Sequence, residues 1–259
     1  MFETLLSTEL VTFFLACTRS AGVVIVAPMP WTHAPARFKA VLVLMFGLLA
    51  YGSSGALGAT ALGDGQLLLA TGSELLLGVA MGFVVRLAIS VAEIAAEVVA
   101  PIWGLGVAQI FDPMTSSNQN ALSALLRNLA VLLAVLAGVH RELIAALLSS
   151  FAVFPIGAAV SPGLALEPLL AMTAGALLTG VRFALPLIAV LFMTQIALAF
   201  VARAAPSMQV FNVGFTVTLM VGGAVLILVL PDIAQGLSSE LSRVLTRIEA
   251  VLMSLQRGS

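Results

Sequence analysis

Charge is the scarcest property of this sequence: Asp, Glu, Lys and Arg make up 9% of its 259 residues, against about 25% in soluble domains. With 61% hydrophobic residues and a mean hydropathy of +1.16, water cannot be its main solvent. One cysteine, Cys17, excludes an intramolecular disulfide framework, and no CxxC or Cys/His cluster is present to hold a metal. The two histidines, His33 and His140, have no HExxH setting, and there is no GxSxG serine elbow. Ala61-Leu62-Gly63-Asp64 lacks the first glycine of the intramembrane GxGD aspartyl pattern. An intramembrane enzyme therefore fails for want of catalytic residues, and no cofactor is expected. A single lysine, Lys39, ten dispersed arginines and a net charge of −1 give no basic patch for nucleic acid. Residues 1–10 carry Glu3 and Glu9 but no basic group, unlike the start of a cleavable secretory signal, so the N-terminus is expected to be retained in the first helix.

Apolar sequence punctuated by 22 Gly and 11 Pro is what the chain has in abundance. A helix needs about 20 mostly apolar residues to cross a bilayer core, and the charge-free stretches of that length are 40–63, 143–166, 183–202 and 204–231. Pro155 and Pro162-Gly163 make the second a helix end followed by a loop. Elsewhere the apolar pattern runs on through isolated charges and predicts helices near 7–28, 38–51, 66–90, 88–103, 119–150, 168–204 and 208–231. Segment 234–256 places Leu237, Leu241, Val244, Leu245, Ile248 and Leu252 at helical spacing and predicts an amphipathic, surface-lying C-terminal helix. Pro101 and Pro186, inside apolar stretches, predict broken or kinked helices. The expected fold is an all-α integral membrane protein of helical hairpins with broken helices, residues 1–259 forming one membrane domain.

An ionised side chain at mid-bilayer costs at least ~3 kcal/mol, yet nearly every candidate helix carries one. Partner subunits or an aqueous lumen would satisfy them. Arg37 and Lys39 suggest a cytoplasmic turn, and the 52–65 loop the opposite side. Arg203 then claims the same side as Arg243, Arg247 and Arg257, with only the 208–231 span between them. Either that span is a re-entrant hairpin or the chain is not a simple membrane weave.

Several motifs stand out. Gly78 and Gly82 form a GxxxG that lets two helix backbones approach, within this chain or between subunits. Arg86, Ser90, Glu93 and Glu97 fall within a stripe about 60° wide on a continuous helix. That stripe is either a neutralised strip between packed helices or the edge of a wet lumen or subunit seam. Glu93 and Glu97 are expected to meet a basic group, either Arg86 or an arginine of a neighbouring subunit. Residues 103–120 combine glycines, a short apolar run, Asp112-Pro113 and a polar tract, which cannot face lipid as a helix. They form either an extramembrane connector or a re-entrant loop. In the second reading Leu105, Val107, Ile110, Phe111 and Met114 plug a lumen, Gly104 and Gly106 let the backbone bend and move, and Asp112-Pro113 fixes the returning turn. Pro206 disfavours helical geometry at Ala205, so 203–212 is expected to hold a tight turn between two helical arms.

Four segments resemble the FliR/SctT family of type III export-gate proteins. Ser73-Glu74-Leu75-Leu76-Leu77-Gly78-Val79-Ala80-Met81-Gly82-Phe83 is similar to its ELxxGxxxGF stretch, and Phe111-Asp112-Pro113 with the Ser/Asn-rich tract after it to its central loop. Ser150-Phe151 with Phe154-Pro155-Ile156-Gly157 resembles SFxxxPxG. The run from Arg203 through Pro206, Met208, Val210 and Phe211 to Gly214-Phe215 resembles the R-x-x-P-Q-M-N-V-F-x-x-G-F signature, and its Gly-Phe pair favours the flagellar over the injectisome branch. Departures are Gly138-Val139-His140 in place of GHH, Ser207 in place of Gln, and Thr216 and Thr218 in place of Pro and Lys. The resemblance implies a non-enzymatic pore subunit of the export gate in the bacterial inner membrane. It would assemble with FliP and FliQ, contact FlhB, lie near FlhA, and pass unfolded flagellar subunits. The rival reading, a secondary transporter, would show an inverted internal repeat, and none is evident.

Overall fold

A computed structural model describes residues 2–54, 64–105, 120–158, 163–204 and 210–256. Eight α-helices appear among them: α1 (Phe2–Val26), α2 (Ala36–Ser54), α3 (Asp64–Trp103), α4 (Ala121–Leu136), α5 (Val139–Val153), α6 (Gly163–Ala204), α7 (Val210–Leu241) and α8 (Val244–Gln256). A short 3-10 turn, Pro30–His33, separates α1 from α2. Four of these helices are long and apolar enough to cross a membrane, or five spans result if the bent α4–α5 pair counts as one.

The helix boundaries depart from the sequence expectation in physically instructive ways. The expected helices 66–90 and 88–103 are one helix of 40 residues, because nothing between them breaks the ladder and Pro101 falls only in its last turn. The expected helix 119–150 is two helices bent by 65°, since Gly138 adopts φ +78, a left-handed conformation that ends the first and starts the second. Pro186 does not break α6, which is continuous from Gly163 to Ala204. Helix α7 likewise runs through Pro231 to Leu241, so the expected 208–231 and 234–256 helices meet instead at Ser242-Arg243. There the Glu240 carboxylate takes Arg243 at 3.7 Å and Arg247 at 2.5 Å, holding the two helix ends together. The apolar stripe of the C-terminal segment does not lie on an open surface. In α8 Val244, Ile248, Val251, Leu252 and Leu255 are buried, and the helix packs on α5.

Two compact units emerge. The first comprises 1–88, 134–174 and 240–259, the second 89–133 and 175–239. In the first, α1 packs along α2, where Gly47 leaves room for the Cys17 side chain, and along α3. The approach to α3 is backbone on backbone: a Cβ at Gly22 would lie 2.7 Å from the Val79 nitrogen, and one at Gly82 3.0 Å from the Val26 Cβ. Apolar burial gives little drive between helices in lipid, so small residues that admit close van der Waals contact carry the association.

In the second unit, glycines again admit neighbours. A Cβ at Gly180 of α6 would stand 2.7 Å from Ile94 of α3, one at Gly236 of α7 would stand 2.5 Å from Phe183 of α6, and Gly214 of α7 faces Leu198 of α6. The pairings 214 with 198 and 236 with 183 make α6 and α7 an antiparallel hairpin. Residues 205–209, with Pro206 and Met208 and the expected tight turn, lie outside the described residues.

Candidate functional site

In the first unit the most highly connected polar group is Arg19 of α1, which is 0% exposed. Its Nε donates to Glu74 Oε2 at 2.6 Å, and one terminal nitrogen donates both to Glu74 Oε1 at 3.1 Å and to the Phe154 carbonyl at 3.0 Å. The other terminal nitrogen donates to Ser150 Oγ at 3.0 Å. Glu74, also 0% exposed, accepts a further bond from the Gly157 backbone N–H at 2.9 Å. The Phe151 ring lies 4.0 Å from the guanidinium carbon, where its negative face adds attraction. Gly157 has φ +86, the left-handed region that glycine enters without strain, and this aims its N–H at the carboxylate. One fork-to-fork ion pair therefore ties α1, α3, the end of α5 and the bend after it into a single unit.

Sequence reasoning does not assemble this cluster, although each part stands out on its own. Arg19 and Glu74 read as isolated charges in apolar helices, and Ser150, Phe151 and Gly157 belong to a separate motif. The available signal is complementarity: one lone cation and one lone anion in neighbouring apolar helices each need a partner.

The Gly78/Gly82 motif packs α3 on α1 of the same chain. Gly78 lies against the Arg19 carbonyl and Gly22. The spacing thus serves the ion pair directly, since Glu74 stands one turn before Gly78 on the same face.

The polar stripe of α3 is partly open and partly covered by α4. Arg86 and Glu97 are exposed, Ser90 and Glu93 half-buried. In the second unit Arg127 of α4 reaches Glu93 at 3.7 Å, and Ser123 Oγ donates to Glu97 at 2.5 Å. The expected basic partner of Glu93 is therefore an arginine of α4 rather than Arg86, and Glu97 meets a hydroxyl. Arg86 forms no ion pair among the described residues.

Both ends of the central loop are fixed by local chemistry in the second unit. Helix α3 stops in a Schellman motif: Gly104 has φ +83, its N–H donates to Pro101 O at 3.2 Å, and the Leu105 N–H donates to Ala100 O at 3.1 Å. Gly104 is thus a set helix stop with the Phe215 ring 3.4 Å from where a Cβ would be, and not a freely moving joint. On the far side Asn120 caps α4, its Oδ1 accepting the Ser123 N–H at 2.7 Å. The Trp103 indole sits over Gly222 of α7 and points its N–H at Leu219 O, 3.4 Å away, while Gln195 of α6 donates to Ile102 O at 2.7 Å. Residues 106–119, with the proposed plug residues Gly106, Val107, Ile110, Phe111, Asp112, Pro113 and Met114, lie outside the described residues. Of the hairpin signature, Arg203 is exposed near the end of α6, Val210 and Phe211 open α7, and Gly214 and Phe215 make the contacts described above.

Replacing Gly222 with Ala should dislodge the indole, because the added methyl overlaps three ring atoms. The expected loss is about 1–3 kcal/mol from overpacking, measured as thermal stability in detergent. Trp103→Leu in the same chain should recover most of that loss.

The sequence profile of the family described as bacterial export proteins, family 1, matches residues 10–244. The flagellar biosynthetic protein FliR of Escherichia coli (strain K12) is 35% identical over 169 residues, 62% of this chain and 62% of that relative. FliR of Pectobacterium carotovorum subsp. carotovorum is 35% identical over 186 residues, 70% of each chain. For FliR of Caulobacter vibrioides the figures are 29% over 161 residues, 62% of this chain and 64% of the relative. The chain thus spans 62% to 70% of the length of these relatives. A profile match from residue 10 to residue 244, over a helical chain with four candidate spans, establishes that this protein belongs to the bacterial export proteins, family 1.

Proposed function

We propose that this chain is a non-enzymatic pore subunit of the flagellar type III export gate in the bacterial inner membrane, helping to form the conduit for unfolded flagellar subunits. The observation that carries this reading is a mismatch of lengths. At 1.5 Å per residue, the 42 residues of α6 and the 40 of α3 rise about 63 and 60 Å, twice the ~30 Å of a hydrocarbon core. Tilt and bilayer thickening absorb a few ångströms of excess, not thirty. The apolar surface beyond the bilayer needs protein to cover it, which a multisubunit gate supplies. The names of the relatives point to the flagellar system, and the partners this reading assigns are FliP and FliQ, with FlhB in contact and FlhA nearby.

Residues 104–120 are the closing element in this reading. The helix stop at Gly104 and the cap at Asn120 bound the segment, and Leu105, Val107, Ile110, Phe111 and Met114 supply the apolar constriction that excludes water. The test has two arms. The tagged chain, purified from its own cells, should bring down FliP-like and FliQ-like subunits; recovery of the chain alone overturns the assignment. In cells making the full gate, Ile110→Gly with Phe111→Gly should raise ion permeability with the complex still formed. Variants as ion-tight and as export-competent as the parent would falsify the plug.

A further inference from the structure

Arg182 is the twentieth residue of the 42 in α6 and is exposed on an otherwise apolar stripe formed by Leu178, Leu185 and Ala189. Among the described residues it takes part in no hydrogen bond or ion pair, unlike Arg19, Arg127 and Arg247. It lies about 28 Å from the start of α6 and about 33 Å from its end, near the middle of the helix.

A bilayer centred on α6 and one moved along it each leave this face incomplete. Centred on α6, the bilayer puts a guanidinium in hydrocarbon, where such a group needs protein or water. Moved to the twenty charge-free residues 183–202, it brings Arg182 to the headgroups but strands Leu166 (59% exposed) and Leu170 (60% exposed) about 18 Å or more outside the hydrocarbon. A protein surface is required in both cases.

We infer that the stripe Leu178–Arg182–Leu185 is an interaction surface for an apolar helix of a different subunit that carries a carboxylate facing Arg182. Charge complementarity selects the carboxylate, because a desolvated guanidinium forms its strongest bonds as a fork on Asp or Glu. A second copy of this chain does not fit. Two-fold pairing of a stripe with itself brings like residues together, and residues 175–189 contain no acid to answer Arg182. The inference rests on the reading of the chain as one subunit of an assembly.

The test uses the full complex in cells. A photo-crosslinking residue placed at Leu178, and separately at Leu185, should yield an adduct with one other subunit. Arg182→Lys should keep most of the complex yield, while Arg182→Glu should lower it at least tenfold. Changing the carboxylate of the crosslinked helix to Arg should restore the yield of Arg182→Glu, a rescue that a generally destabilised fold would not show. Adducts confined to lipid, an unchanged yield of Arg182→Glu, or no rescue by any charge swap in the crosslinked helix overturns the inference. Wild-type chain recovered without partners instead overturns the assembly reading beneath it.

Discussion

Replacing Glu74 with Gln should abolish stable accumulation of the folded chain. Glutamine keeps one acceptor for the Arg19 and Gly157 donors but removes the charge that offsets a guanidinium with no solvent contact. Breaking one side of a buried ion pair costs about 3–5 kcal/mol, a fifth or more of the 5–15 kcal/mol by which folded domains are ordinarily stable. Arg19→Met should do the same from the other side. It strands the Glu74 carboxylate and deprives Ser150 Oγ and the Phe154 carbonyl of their donor. The double variant Arg19→Met with Glu74→Met should be less damaged than either single one, since it leaves no unpaired buried charge. Some loss should remain because the Gly157 N–H and Phe154 carbonyl lose partners at about 1–3 kcal/mol each. Midpoint temperatures of the purified chains in detergent test this. Strictly additive losses would show that the two groups do not act as a pair.

How far the sequence carries the structure can be judged from particular residues. The all-α membrane class was legible because apolar runs of helical length have few other uses. The end of α3 and the start of α4 were readable in principle, since Gly104 and Asn120 are the residue types that stop and cap helices. The break at Gly138 was not, because one glycine among 22 in an apolar run gives no local hint of which will turn left-handed. Nor was the continuity of α6 through Pro186, because prolines are tolerated inside membrane helices. The central cluster was hidden for a different reason. Its members are separated by 55, 131 and 135 residues from Arg19 to Glu74, Ser150 and Phe154, and no periodicity within one helix encodes such pairing. The polar stripe shows the same limit. Its residues were found by spacing, but their partners Arg127 and Ser123 lie on another helix.

Substituting Gly78 should have an effect of the same order as losing the ion pair, through geometry alone. A methyl at this position overlaps the carbonyl oxygen of Arg19 and approaches the Gly22 Cα at 3.1 Å. Both obstacles are backbone, so no side-chain rotation can relieve them, and α1 must move away from α3. That displacement acts on the adjacent Arg19–Glu74 bond, whose 2.6 Å Nε–Oε2 separation depends on the same two helices. Gly78→Ala should therefore cost about 3 kcal/mol or more, beyond the 1–3 kcal/mol typical of overpacking, and Gly78→Leu should prevent folding. Gly72 provides the control on the same helix. It is exposed, and an added methyl there would meet nothing within 4 Å. Gly72→Ala should gain about 0.8–1.0 kcal/mol of helix propensity. Thermal midpoints of the two alanine variants in one detergent should therefore move in opposite directions. If Gly78→Ala matches the parent, α1 and α3 do not meet through this glycine. If both variants rise together, helix propensity and not the backbone contact governs α3.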